Sequence, residues 1–204
     1  MVTVKMEKTP DEQLLQTIDL ICDFHGKYAP GAVIGAYMVQ LAQEKLQPLI
    51  GKLNAIAEST VCLADAIQIM TGCTIGNKYL WLMNYGRYAL CLYDRETKEG
   101  VRVWVDYNKI DPIKTPTLKK FFDGTRTYET IDRPTQQQMV NQEFFTVNRA
   151  ILEWKKVWVN LPTKGPLPNT AFCNICNEYY KSFLQPPRCK CISENPYSEA
   201  PNQE

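Results

Sequence analysis

Residues 24–31 read Phe24-His25-Gly26-Lys27-Tyr28-Ala29-Pro30-Gly31, and the stretch holds the one histidine of a 204-residue chain. It joins two amphipathic segments. Gly26 can take positive φ and end a helix, and Pro30 suits the first position of the next. The stretch therefore predicts a helix, a junction and a second helix, with His25 at the corner. A lone histidine at a corner has two readings: a hydrogen-bonded structural residue or a ligand.

Working outward, Thr9-Pro10-Asp11-Glu12 is a helix start with a capping threonine, a first-position proline and a glutamate that completes a capping box. Leu14, Leu15, Ile18, Ile21 and Cys22 then share one helical face. Cys22 there is most simply a small buried apolar residue. A second helix is predicted from about Gly31 to Gln47, with a stripe of Val33, Ile34, Tyr37, Met38 and Leu41. Gly31 and Gly35 lie one turn apart and admit a close neighbour, and Pro48 ends the helix.

Leu53 to Glu58 reads as a short strand. Val61 to Met70 reads as a helix that sets Cys62, Asp65, Ala66 and Ile69 near one another. The loop Thr71-Gly72-Cys73-Thr74-Ile75-Gly76-Asn77 is small and polar, a composition that can approach a ligand closely. Three β-type runs follow: Tyr79 to Asn84, Arg87 to Asp94 and Val101 to Asp106. Tyr85-Gly86 is read as a tight turn, so all three are expected as antiparallel neighbours. Cys91, in mid-strand, is read as packing. A short helix over Thr117–Phe122, another from Pro134 to about Gln142, and a last strand over Trp154–Leu161 complete an α+β core of helices on a mainly antiparallel sheet.

Asn160 to Thr170 contains Pro162, Gly165, Pro166 and Pro168 and reads as a linker. The expected division is a core domain over 1–162, then a linker and small module over 163–204. In that module Cys173-Asn174-Ile175-Cys176 precedes Cys189-Lys190-Cys191. Four thiolates in two close pairs are the ligand set of a tetrahedral Zn²⁺. The second pair has one intervening residue, which leaves the last ligand's geometry open. So short a segment cannot fold on apolar burial alone, so zinc would supply its folding energy and would be structural.

Apolar residues make up 45% and charged residues 22% of the chain, an ordinary soluble composition. The formal net charge of +1 gives no field to recruit nucleic acid or anionic lipid. No apolar run approaches bilayer length, and the N-terminus lacks the apolar core of a signal peptide, so a cytoplasmic protein is expected. In a reducing compartment clustered cysteines point to metal rather than disulfides. The module itself sets Lys181, Arg188 and Lys190 against Glu178, Glu194, Glu199 and Glu204, so protein contact is expected of it rather than nucleic acid.

Taken together, Phe24-His25-Gly26 with Pro30-Gly31, Glu58 through Cys62, Asp65-Ala66-Ile67-Gln68, Thr71-Gly72-Cys73-Thr74 with Gly76-Asn77, and Tyr85-Gly86 with the strands to Val105 are similar to the formylmethanofuran dehydrogenase E-subunit family. The resemblance spans about residues 14 to 161. Some members carry a C-terminal treble-clef zinc finger, which the four cysteines resemble. It implies an α+β core and, in members with the finger, intertwined homodimers. It also implies a core site at His25, Cys62 and Cys73, with Asp65 as a fourth ligand or a supporting partner, able to take a second metal or a small ligand. Lys27 and Ala29 depart from the family pattern, which has a second histidine and a cysteine there. Two functions follow as expectations: a zinc-binding, dimeric binding or regulatory protein, or a metal-dependent enzyme or enzyme subunit in one-carbon or redox metabolism. In the second case His25, Cys62, Cys73 and Asp65 are the catalytic candidates.

Overall fold

The structure, a computed structural model, describes residues 10–162, 168–184, 186–191 and 193–194. Thr9 and the tail from Asn195 lie outside them. The chain separates into two compact units, Met1–Thr163 and Lys164–Glu204. The first combines helices with a sheet, the second holds a β-hairpin, and the chain as a whole is α+β.

In the first unit, α1 (Pro10–His25) and α2 (Pro30–Lys45) flank the junction as the glycine and proline dictate. Gly26 sits at φ +81°, the left-handed conformation that ends α1. The inner face of α1 is Leu14, Ile18, Ile21 and Cys22, while Leu15, expected beside them, is exposed. α2 differs from a one-sided stripe: every residue from Pro30 to Val39 is buried. It packs on α1, on α3 (Leu63–Thr71), on α5 (Arg133–Val147) and on two strands. Its small residues permit this. A methyl added to Gly35 would lie 3.0 Å from Ala66 Cβ, and one added to Gly31 would lie 3.0 Å from Cys62 Sγ.

The sheet orders five strands as β2-β1-β3-β4-β5, namely β1 (Leu53–Ala57), β2 (Leu80–Leu82), β3 (Ala89–Asp94), β4 (Glu99–Val105) and β5 (Leu152–Trp158). Three pairings are antiparallel and β1–β2 is parallel. The expected hairpin through Tyr85-Gly86 is therefore corrected: α3 is a crossover that returns the chain to the outer side of β1. Segment 83–88 then passes the end of β1. The amides of Tyr85 and Arg87 both donate to the Glu58 carbonyl, at 3.1 and 3.3 Å, and β3 enters on the other side. At the opposite end, buried Asp94 accepts from the amides of Ile50, Gly51, Glu96 and Thr97 and fixes the β3–β4 hairpin to the start of β1. α4 (Pro116–Asp123) and α5 follow. The cap of α5 is Asp132, which accepts from the Thr135 amide at 3.0 Å.

The second unit contains β6 (Asn169–Cys173) and β7 (Glu178–Ser182), an antiparallel hairpin. Its turn is Asn174-Ile175-Cys176-Asn177, with Asn177 at φ +57° and its amide on the Cys173 carbonyl at 2.9 Å. Asparagine tolerates that conformation better than most side chains.

Candidate functional site

The junction places His25, last residue of α1, against the first turn of α3. His25 Nδ1 lies 2.6 Å from Asp65 Oδ2, with the two side chains 16% and 26% exposed. A carboxylate on Nδ1 fixes the ring and directs Nε2 outward from the pair, where it can accept a proton or a metal. Cys62, the N-cap of α3, is packed against Gly31. The Tyr88 hydroxyl donates to the Gly31 carbonyl and closes the back of this corner.

Cys73 is elsewhere. It follows the C-terminal end of α3, so the length of the helix, roughly 15 Å at 1.5 Å per residue, separates it from Cys62. Its thiol is directed at the Leu53 carbonyl, 3.4 Å away. The hydroxyls of its loop are used locally: Thr71 Oγ1 accepts from the Cys73 amide, and Thr74 and Asn77 bond each other. The expected pocket at His25, Cys62 and Cys73 is therefore not assembled within the core unit. His25 and Asp65 meet, Cys62 at the start of α3 does not complete a ligand-distance group with them, and Cys73 lies at the other end of the helix. A cleft of about 360 Å³ beside the junction is lined by Asp19, Cys22, Asp23, Gly26, Lys27 and Tyr28 instead.

Burial pushes the Cys62 thiol up; Asp65 adds to this and Lys27 opposes it. Burial also pushes Cys73 up, and it pushes Cys91 up to about 12. A raised thiol is a poor source of thiolate, so neither core candidate is prepared as a nucleophile.

The four C-terminal cysteines are brought together. Cys173 Sγ lies 3.7 Å from Cys191 Sγ, and Cys176 Sγ lies 3.8 Å from Cys189 Sγ. All four sulfurs lie within 4.8 Å of one another, the one such group of three or more ligand atoms among the described residues. The Cys-x-Cys spacing thus still closes the set. Tetrahedral coordination at a metal–sulfur distance of about 2.3 Å requires sulfur–sulfur edges of about 3.8 Å, so the set fits a tetrahedral metal ion. The amides of Cys176 and Ile175 point at Cys173 and hold its thiol down at about 6, as a ligand requires. Cys191 is pushed up to about 12 by hydrogen bonding to Cys189, and by burial and further thiol contacts. Without a cation the four groups cannot all carry charge.

A second polar cluster lies on the sheet, one that the sequence motifs do not announce. Arg102 donates to Glu58 through Nε at 2.6 Å and Nη2 at 2.8 Å, and Arg87 Nε lies 3.3 Å from the same carboxylate. The Arg102 hydrogen bonds hold the Glu58 carboxyl below its ordinary range despite burial. The available signal was Val101-Arg102-Val103, in which alternation sends Arg102 to the face opposite the valines.

Three comparisons bear on identity. A crystal structure of a tungsten formylmethanofuran dehydrogenase FmdE-like protein from Syntrophus aciditrophicus is similar with a TM-score of 0.68 and 29% identity, over 91% of this chain and 95% of that one. A probable S-adenosyl-L-methionine-binding protein from Archaeoglobus fulgidus is 33% identical over 111 residues. That match covers 51% of this chain and only 30% of the curated relative's length. The profile of the family described as FmdE, molybdenum formylmethanofuran dehydrogenase operon, matches residues 24–157. That range runs from the His25 junction through Asp65 and Arg102 into β5, and by it the chain belongs to the FmdE family.

Proposed function

We propose that this protein is a zinc-carrying FmdE-like binding protein that works as a homodimer, with zinc held structurally by Cys173, Cys176, Cys189 and Cys191. The observation that carries the metal is the tetrahedral sulfur spacing of 3.7 and 3.8 Å. Four thiolates select zinc over harder cations and leave no open position for substrate, so this ion folds its unit rather than catalysing.

The core unit is read as a small-ligand binder. His25 and Asp65 supply two ligand-type groups and Cys62 a protonated thiol, fewer than a closed metal site needs. S-adenosylmethionine, named as the ligand of the Archaeoglobus relative, is one candidate ligand. The competing role, an enzyme or enzyme subunit of one-carbon or redox metabolism, would draw on His25 as a base oriented by Asp65.

Metal analysis of the intact chain and of Cys173→Ser/Cys176→Ser tests the first part. One zinc per chain, lost in the double variant, is expected. A metal retained by that variant would falsify the assignment to these sulfurs. Light scattering tests the dimer: twice the chain mass is expected, and a monomer overturns it.

A further inference from the structure

The core unit has a larger cleft, of about 550 Å³, between the segment before β3, the end of β4 and the C-terminal end of α4. A cavity of this size suits a ligand of nucleotide dimensions. Tyr88, Trp104, Tyr107 and Phe122 line it, together with Arg87 and Arg102. The aromatic wall is held in place: Tyr88 and Phe122 meet edge to face at 5.6 Å, and Lys119 sits over the Tyr107 ring. Tyr88 also links this cleft to the junction, since its hydroxyl ends at Gly31.

The charge around Glu58, at the edge of this cleft, is unbalanced. Glu58 is saturated by the two-pronged bond from Arg102 and also takes the single longer contact from Arg87. Lys155 stands opposite Arg102 on β5 and acts on the same carboxylate. Three cations thus share one acid. Arg87 is the outermost, its side chain 62% exposed and its guanidinium 4.9 Å from the Tyr85 ring. The other acid at the cleft, Asp123, is hydrogen-bonded by Thr125 and Tyr107 and keeps its negative charge at the opposite side of the lining from Arg87. An exposed guanidinium beside flat aromatic surfaces matches a ligand with a planar ring and an anionic group, because arginine pairs with phosphate or carboxylate and aromatics stack on heterocycles.

We propose that this cleft binds a planar heteroaromatic ligand of about nucleotide size that carries an anionic group, its ring on the aromatic wall and that group on Arg87. The inference rests on the small-ligand role given to the core unit and is independent of the zinc. Phosphate and carboxylate share the required chemistry, so a nucleoside monophosphate and an adenosyl amino acid are the two sources to separate.

The test is calorimetric titration of the full chain with AMP, adenosine and S-adenosylmethionine. Saturable binding of AMP or S-adenosylmethionine is expected, with whichever binds tighter naming the source. Adenosine should bind at least about tenfold more weakly than AMP, the loss of one charge-assisted contact. Arg87→Ala should cost the tighter-binding probe about tenfold and Arg87→Lys less, with little change in the melting temperature of either variant because Arg102 carries the main pairing with Glu58 and Arg87 is 62% exposed. Binding indifferent to Arg87→Ala overturns the cleft and leaves the small-ligand role standing. No saturable binding of either AMP or S-adenosylmethionine up to about 1 mM overturns both.

Discussion

His25 Nδ1 and Asp65 Oδ2 lie 2.6 Å apart across forty positions of sequence, tying the end of α1 to the first turn of α3. Removing either partner should cost about 1 kcal/mol, the net worth of one partly buried hydrogen bond. His25→Ala and Asp65→Ala should therefore be less than additive when combined, as residues in contact are. Denaturant unfolding of the two single variants and the double variant measures this. Full additivity would mean the two groups do not interact.

Glu58 supports a pH prediction. Its folded carboxyl is held below the ordinary glutamate value of 4.5, chiefly by Arg102. The stability this contributes is fully present above 4.5 and is lost as pH falls through the lowered folded value. Wild type should thus weaken on acidification, and Glu58→Gln should flatten that part of the profile. Arg102→Ala, which leaves the buried carboxylate only the longer contact from Arg87 and the more distant Lys155, should cost about 2–3 kcal/mol at neutral pH. Thermal melts from acid to neutral pH decide it, and a Glu58→Gln profile parallel to wild type would count against the pair.

Gly35 and Ala66 define the approach of α2 to α3. Gly35→Ala places a methyl 3.0 Å from Ala66 Cβ and 3.3 Å from Leu63 Cδ1, and should cost about 1–3 kcal/mol by overpacking. Adding Ala66→Gly should recover part of the loss, beyond what a helix glycine takes away. Equilibrium unfolding of the three variants reads the compensation directly; no recovery would place the strain somewhere other than this contact.

Cys189→Ser should abolish tight metal binding, while Cys73→Ser should leave the metal content at that of wild type, because Cys73 points at the Leu53 carbonyl. Chelation should unfold residues around the hairpin β6–β7 and leave the melting of the core unit in place, since structural zinc supplies folding energy locally. Metal analysis with amide exchange follows both effects.

Much of the architecture was legible because local chemistry dictates it. Gly26 and Pro30 mark the junction, Pro48 follows α2, and the paired cysteines mark the metal set. What escaped was non-local. A three-residue β2 carries no sign of its partner, and the parallel pairing with β1 depends on α3 acting as a crossover. Cys62 and Cys73 look close in sequence, yet a helix lies between them. Arg102 looked like an ordinary outward residue of an alternating strand, because its acceptor sits 44 positions away. The all-round burial of α2 was hidden by its alanines and glycines, whose small volume matters only once neighbours are known.

α2, buried along its first ten residues, has almost no surface through which selection for partners or ligands could act. Substitutions in it are filtered by volume, and innovation is pushed to the segment that feeds it. There Lys27 is exposed and carries none of the packing. Ligand-type side chains can be gained or lost at Lys27 without consequence for the fold, whereas around it His25 is tied to Asp65, Gly26 holds the left-handed turn and Ala29 is buried in the core. The same property makes position 27 the place to install new chemistry beside the His25–Asp65 pair.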